Sequence, residues 1–87
     1  MNYIKCEINW QFGESTLNGR VFLFCIGADC MSGKVLEVKK LVKQNFYELK
    51  VSFIEAKYFQ NVADVGNKIK IQEASKILSE GVITSVA

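Results

Sequence analysis

The chain has no histidine and no proline among its 87 residues, and it has a single arginine, Arg20. Without histidine it lacks the commonest transition-metal ligand and the commonest general base of enzymes. A metal would have to bind cysteines and carboxylates, but Cys25 and Cys30 are poorly spaced for this and Cys6 is remote from both. We therefore expect no metal, no cofactor and no enzymatic activity.

Targeting and linker segments are also missing. There is no secretion signal, no Ser/Gly-rich linker and no apolar run near the roughly 18 residues that a membrane-spanning helix requires. Three cysteines, an odd number, favour a reducing compartment in which thiols stay free. We expect one compact domain over residues 1–87 in the cytoplasm, with no membrane contact and no intramolecular disulfide.

The stretch 21–26, Val-Phe-Leu-Phe-Cys-Ile, is the most informative part of the chain. Six consecutive apolar residues predict a strand that is buried on both faces, since a strand with one wet face alternates apolar and polar residues. A chain of 87 residues has little material to cover both faces. This stretch therefore predicts a protein partner or a second copy, as a homodimer or a higher homo-oligomer.

The segment before this stretch alternates as a strand with one dry face does. Residues 13–19 carry turn signals, the strongest being Asn18-Gly19, so we expect the two flanking strands to pair as an antiparallel hairpin. The apolar positions of the first strand, over residues 3–12, are Ile4, Cys6, Ile8, Trp10 and Phe12.

Two later segments show helical spacing. Residues 72–80 predict a short helix that buries Ala74, Ile77 and Leu78 and ends at Gly81. Residues 68–71 and 82–86 read as short strands. The longer predicted helix, over 34–47, has its apolar residues at Val35, Val38, Leu41, Val42 and Phe46.

Residues 48–65 have two interpretations. Alternation and a high content of Tyr, Val, Phe and Ile favour a strand over 48–59 with a bulge near Phe53 and Ile54. The alternative is a helix over 53–65, with Ser52 and Glu55 as a capping box and Gly66 as its C-terminal cap. We favour the strand.

These elements predict an α+β fold. The strand-strand-helix order occurs twice, as β-β-α-β-β-α. We expect an antiparallel sheet of four to five strands with two helices on one face, and a short C-terminal strand is an option.

Known catalytic and ligand-binding motifs do not fit the chain. The glycines of Gly27–Lys34 follow a strand, but their spacing and Val35 depart from a phosphate-binding loop. Cys30 lies near a predicted helix start, yet no histidine is present to activate it. The nine acidic residues are scattered, which disfavours acid–base hydrolysis.

The expected function is therefore binding. The heavy aromatic load exceeds what two short helices could cover, so we expect a protein-binding module that uses an apolar sheet face of Trp10, Phe22 and Phe24. A stoichiometric inhibitor or adaptor of the phage or mobile-element kind fits this description. The alternative is a nucleic-acid-binding protein that uses a lysine-rich helix face of Lys39, Lys40 and Lys43, although the net charge is only +2.

Overall fold

A computed structural model describing all residues from Met1 to Ala87 shows a closed antiparallel barrel of six strands. The predicted α+β fold is therefore wrong: helical structure is limited to a 3-10 turn, Glu14–Thr16, and one short helix, α1 (Ala56–Phe59). That helix has four residues and is far too short to cross a membrane. The strands are β1 (Ile4–Asn9), β2 (Val21–Ile26), β3 (Asp29–Lys40), β4 (Phe46–Phe53), β5 (Lys68–Glu73) and β6 (Lys76–Val86).

The strand order around the barrel is β1-β4-β3-β2-β5-β6, with β6 closing onto β1. Strands β2, β3 and β4 form a meander, and β5 returns to lie beside β2, which is a Greek-key arrangement. The predicted hairpin between β1 and β2 is wrong, because β1 pairs with β4 and β6 instead. The chain between β1 and β2 crosses one end of the barrel rather than making a tight turn.

The barrel interior comes from the alternation of its strands. Ile4, Cys6 and Ile8 of β1 are buried, as their period-two spacing predicted. In β2 the expected burial on both faces holds only for its last three residues, and Val21 is exposed. Gly33 of β3 faces this core, where a Cβ would lie 2.8 Å from side-chain carbons of Val51 and Phe53.

The helix predicted over 34–47 is wrong, and a bulge explains why its spacing misled. Residues up to Lys40 continue β3, and β4 begins at Phe46. The β3–β4 register shifts between Val35 and Glu37, which leaves Leu36 as an extra, exposed residue. The next inward residue is then Val38, three positions after Val35, so a bulged strand imitates the spacing of a helix.

The helix predicted over 72–80 is wrong for a related reason. β5 and β6 form a hairpin whose turn contains Ala74 in the left-handed region, with φ 55°. The register shifts between Ile71 and Gln72, opposite Ser79 and Ile77, so that Leu78 is the extra residue. Ile77 and Leu78 are neighbours in a bulged strand and not one face of a helix. The strands expected at 68–71 and 82–86 do form, within β5 and β6.

The two interpretations of 48–65 each hold in part. The strand exists, but it ends at Phe53 and contains no bulge there. The only helix in the alternative region is α1, which forms a single turn. It suffices to place Phe59 over the barrel opening, where its ring centroid lies 4.6 Å from that of Phe53.

Each end of the barrel is closed by one buried side chain. Leu17, just after the 3-10 turn, closes the end at which β1 finishes and β2 begins, which we call the aromatic end. Phe59 closes the opposite end, which we call the helix end. A chain of neighbouring aromatic rings connects the two ends, with centroids 4.6 to 6.4 Å apart, through Phe12, Trp10, Phe22, Phe24, Phe53 and Phe59.

The cysteines depart from the expected free thiols. Cys25 and Cys30 face each other across the β2–β3 hairpin and form a disulfide, so the expectation of no intramolecular disulfide is wrong. The error arose because the predicted helix placed Cys30 outside the sheet. Cys6 is the only free cysteine, and the pairing removes the cysteine argument for a reducing compartment. A cytoplasmic location stays a prediction.

Candidate functional site

The aromatic end carries a small open cavity of about 190 Å³. Its wall is mainly apolar, with one cation and one anion at the rim. The cavity draws on four parts of the chain that the barrel brings together: the end of β1, the loop before β2, the start of β2 and the β5–β6 hairpin. The lining residues are Trp10, Phe12, Thr16, Arg20, Phe22, Glu73 and Leu78.

Trp10 is the fixed element of this site. Its indole Nε1 donates hydrogen bonds to the hydroxyl oxygen of Thr16 at 2.9 Å and to the carbonyl oxygen of Gly13 at 3.2 Å. The hydroxyl of Thr16 donates in turn to the carbonyl oxygen of Gly13 at 2.7 Å. A buried indole with a satisfied N–H is rigid, so the ring provides a firm base for its neighbours.

Phe12 and Phe22 both pack against the Trp10 ring. The Phe12 ring centroid lies 4.9 Å from Trp10, and the Phe22 centroid lies 5.4 Å from it, both in edge-to-face geometry. Phe12 is nevertheless 52% exposed, and Phe22 is half-buried. A large apolar side chain kept half in water by a rigid support is typical of an interaction surface.

The three residues predicted to bind a partner occupy different places. Phe24 is 0% exposed inside the barrel, so a partner could not touch its ring without opening the fold. Trp10 is 3% exposed and acts as a support. Of the three, only Phe22 presents appreciable surface. The sheet face that the sequence predicted is the inside of a closed barrel, and many of the aromatic side chains are buried there.

A gap between β2 and β5 continues the site. All six β2 residues pair with β3, but only Leu23, Phe24 and Cys25 pair with β5. The seam therefore opens beside Val21 and Phe22, leaving a second cavity of about 310 Å³. This cavity shares Phe22, Arg20 and Glu73 with the first, so the two form one continuous groove.

The lysines of the nucleic-acid hypothesis lie on a β-hairpin and not on a helix face. Lys39 and Lys40 are at the end of β3, and Lys43 is in the turn before β4. Lys39 is opposite Glu48, and the Nζ of Lys43 lies 4.5 Å from the ring centroid of Phe46. This surface thus mixes charges of both signs, and its binding role stays a prediction.

The reactive side chains lie apart from this groove. Burial, with a smaller effect from the charge of Glu48, raises the pKa of the Cys6 thiol from 9.0 to about 12, so it stays protonated at neutral pH. Nowhere do three His, Cys, Asp or Glu side chains gather as a metal site would require. The groove itself holds one carboxylate, one guanidinium and one hydroxyl among apolar rings, which equips it for binding contacts.

Sequence reasoning missed the polar part of the site. Arg20 and Glu73 are 53 positions apart in the chain and meet only because β5 returns to β2. Thr16 and Leu78 were likewise invisible, one within a loop and one assigned to a helix. The one available signal was that Arg20 is the sole arginine and directly precedes an apolar strand.

No protein-family model matches the chain, and no curated protein matches its sequence. The geometry of the aromatic end is therefore the main indication of function.

Proposed function

We propose that this protein is a small non-enzymatic binding module that recognises another protein through the groove at its aromatic end. The observation that carries the proposal is Phe12, which stays half exposed although Trp10 and its hydrogen bonds hold its position. Protein interfaces are enriched in aromatic residues and arginine, and their binding energy concentrates in a few such side chains. The groove combines Phe12 and Phe22 with the only arginine, Arg20.

The aromatic end supports this proposal better than the other exposed apolar residues do. Val42 and Val65 lie on separate loops. At the helix end the exposed Tyr58 of α1 packs on no other ring, and Ile54, just before α1, lines a cavity that contains no aromatic side chain. Scattered apolar side chains are normal on a protein surface, whereas a contiguous patch beside a cavity marks a recognition site. Action as an inhibitor or an adaptor fits such a surface equally well.

The test is affinity capture with tagged protein from cells that express it, followed by mass spectrometry. Three baits are compared: wild type, Phe12→Ser and, as the matched aromatic control at the opposite end, Tyr58→Ser. Tyr58→Ser should alter the free energy of unfolding by no more than about 0.5 kcal/mol, because Tyr58 is largely exposed. Phe12→Ser should cost about 0.5–1.5 kcal/mol, because it removes the edge-to-face contact with Trp10, and the variant should remain folded. We expect Phe12→Ser to lose a partner that wild type and Tyr58→Ser retain.

One further bait and a nuclease treatment separate this proposal from nucleic-acid binding. Capture by Lys39→Glu combined with Lys43→Glu should equal that of wild type, and nuclease treatment should change nothing. Capture that survives Phe12→Ser but disappears with the lysine changes or with nuclease would establish the nucleic-acid alternative and reject the aromatic groove.

A further inference from the structure

The groove at the aromatic end leaves backbone as well as side chains uncovered. Val21 and Phe22 have no partner on the β5 side, although strand pairing continues from Leu23. Val21 is also exposed, and Phe12 lies at the adjoining cavity. Unpaired strand edges with apolar side chains promote association, so they are normally covered. Any partner that covers the unpaired edge at Val21 and Phe22 must therefore supply apolar surface.

The charges of the groove indicate which partner fits. Arg20, just before β2, and Glu73, at the end of β5, line both cavities together. Neither belongs to a salt bridge, since the chain contains a single one, between Lys50 and Glu37. A cation and an anion that form no salt bridge with each other or with another residue thus line the same apolar groove.

A groove that carries one charge of each sign can complement a second copy of itself in a twofold-symmetric dimer. In a symmetric dimer each residue contacts a residue of the other copy, and the reverse contact occurs too, so the surface must complement itself. A surface with one cation and one anion beside an apolar centre meets this condition when a second copy is rotated by 180°. A partner of uniform charge would be attracted by one of the two groups and repelled by the other.

We propose that the aromatic end is the interface of a symmetric homodimer. Arg20 pairs with Glu73 of the partner subunit, the reverse pair forms as well, and Phe12, Val21 and Phe22 pack at the centre. This inference rests on the proposed binding function and specifies that the protein bound there is a second copy of the chain.

The first measurement is sedimentation equilibrium of the wild-type protein over a wide concentration range. We expect a species of twice the 9.8 kDa chain mass that dissociates on dilution. Phe12→Ser should shift it to monomer, and Tyr58→Ser should not. Added salt should weaken the dimer because the flanking ion pairs are exposed to solvent.

Charge reversal provides the decisive test. Arg20→Glu alone and Glu73→Arg alone should each weaken the dimer by about a hundredfold, since two attractive contacts become repulsive and each accounts for about tenfold. Mixing the two variants should restore association as a heterodimer, because both contacts are then of opposite sign. Combining both changes in one chain should restore the homodimer. Far-UV circular dichroism of each variant shows that folding is unchanged.

A wild-type monomer at every concentration overturns the inference, as does a dimer that is indifferent to both reversals or is not restored by mixing. If the monomer still captures a different protein through Phe12, the proposed function stands and only the homodimer is rejected. If Phe12→Ser alters neither dimerisation nor capture, both proposals are rejected.

Discussion

The two ends of the barrel are closed by different kinds of segment. At the helix end a single turn of helix places Phe59 over the opening, and this ring is 1% exposed. At the aromatic end a loop places Leu17 in the core, and the aromatic chain continues outward past Trp10 to Phe12. Both closing side chains are buried, but only at the aromatic end does a half-exposed ring pack against a buried one.

The two ends also differ in the residues that line their cavities. At the helix end α1 and the loop after it place Phe59 and Ala63 in the core, and the two cavities there, one lined by Ile54 and one by Val62, contain no aromatic side chain. At the aromatic end the β2–β5 seam opens before the strands finish, so the closure by Leu17 leaves a groove beside it. Burial of the apolar side chains would favour closing that groove. Because the groove stays open, we propose that this end binds a partner.

The largest expected effect comes from removing the two closing side chains. Phe59→Ala should lower the free energy of unfolding by about 3–5 kcal/mol, and Leu17→Ala by about 2–5 kcal/mol, because each leaves a cavity at a core boundary. Urea denaturation monitored by tryptophan fluorescence measures both. Tyr58→Ala, beside Phe59 but exposed, is the control and should change stability by less than about 0.5 kcal/mol. A loss below 1 kcal/mol (about one hydrogen bond) for Leu17→Ala would show that its loop does not seal the aromatic end.

A smaller effect is expected at the helix end from the disulfide. The β2–β3 hairpin that carries Cys25 and Cys30 lies beside the loop at Asn61 and Asp64. Reduction should lower stability by about 2 kcal/mol, as the chain-entropy relation gives for so short a loop. The measurement is the urea midpoint with and without reductant. The double variant Cys25→Ala, Cys30→Ala is the control, and its midpoint should be the same in both conditions. An intact mass two units higher before reduction, that of free thiols, would contradict the pairing.

The last effect is absent at neutral pH, appears only above about pH 9, and reports on the buried space between the two ends. Cys6 has a pKa of about 12 in the folded chain against 9.0 for the free thiol, so its burial contributes stability fully below pH 9. That contribution should be lost as the pH rises from 9 through 12, because the unfolded chain then ionises first. The stability difference between wild type and Cys6→Ala should therefore be constant up to pH 9 and shrink above it.

Alkylation supplies the companion measurement for this pH effect. Iodoacetamide should leave Cys6 unmodified at neutral pH in the folded protein, since only the thiolate reacts and burial suppresses it. Leu17→Ala and Phe59→Ala should each accelerate the reaction if both ends exclude water. Rapid labelling of the wild type under native conditions would contradict a sealed interior.

Local patterns in the sequence predicted β1 and β2, neither of which carries an extra, bulged residue of its own. The alternation of Ile4, Cys6 and Ile8 predicted β1 and its buried face, and the apolar run 21–26 predicted β2 with its bounds. Where a register shifts, the same reasoning failed: the bulges at Leu36 and Leu78 produced helix-like spacing, and both predicted helices proved to be strands. Single-sequence periodicity cannot distinguish these cases, because a bulge is defined by the partner strand.

The candidate site, too, was predicted only in part. The sequence indicated that aromatic residues near Trp10 and Phe22 serve binding, but it could not tell which rings the barrel would bury, and it missed Arg20 and Glu73 altogether. Those two charges meet through a contact between β2 and β5, which are separated by two other strands in the chain.

By itself, then, the sequence determined local features. It indicated which short segments are extended, which side chains are apolar enough to be buried, and which residues of common metal and nucleophile sites are missing. Closure of the barrel, the pairing of Cys25 with Cys30 and the groove at the aromatic end were decided only by tertiary structure. The physical reason is that side-chain period and turn propensity act over a few residues, whereas strand order, register shifts and burial depend on segments that are distant in sequence and meet only in the folded chain.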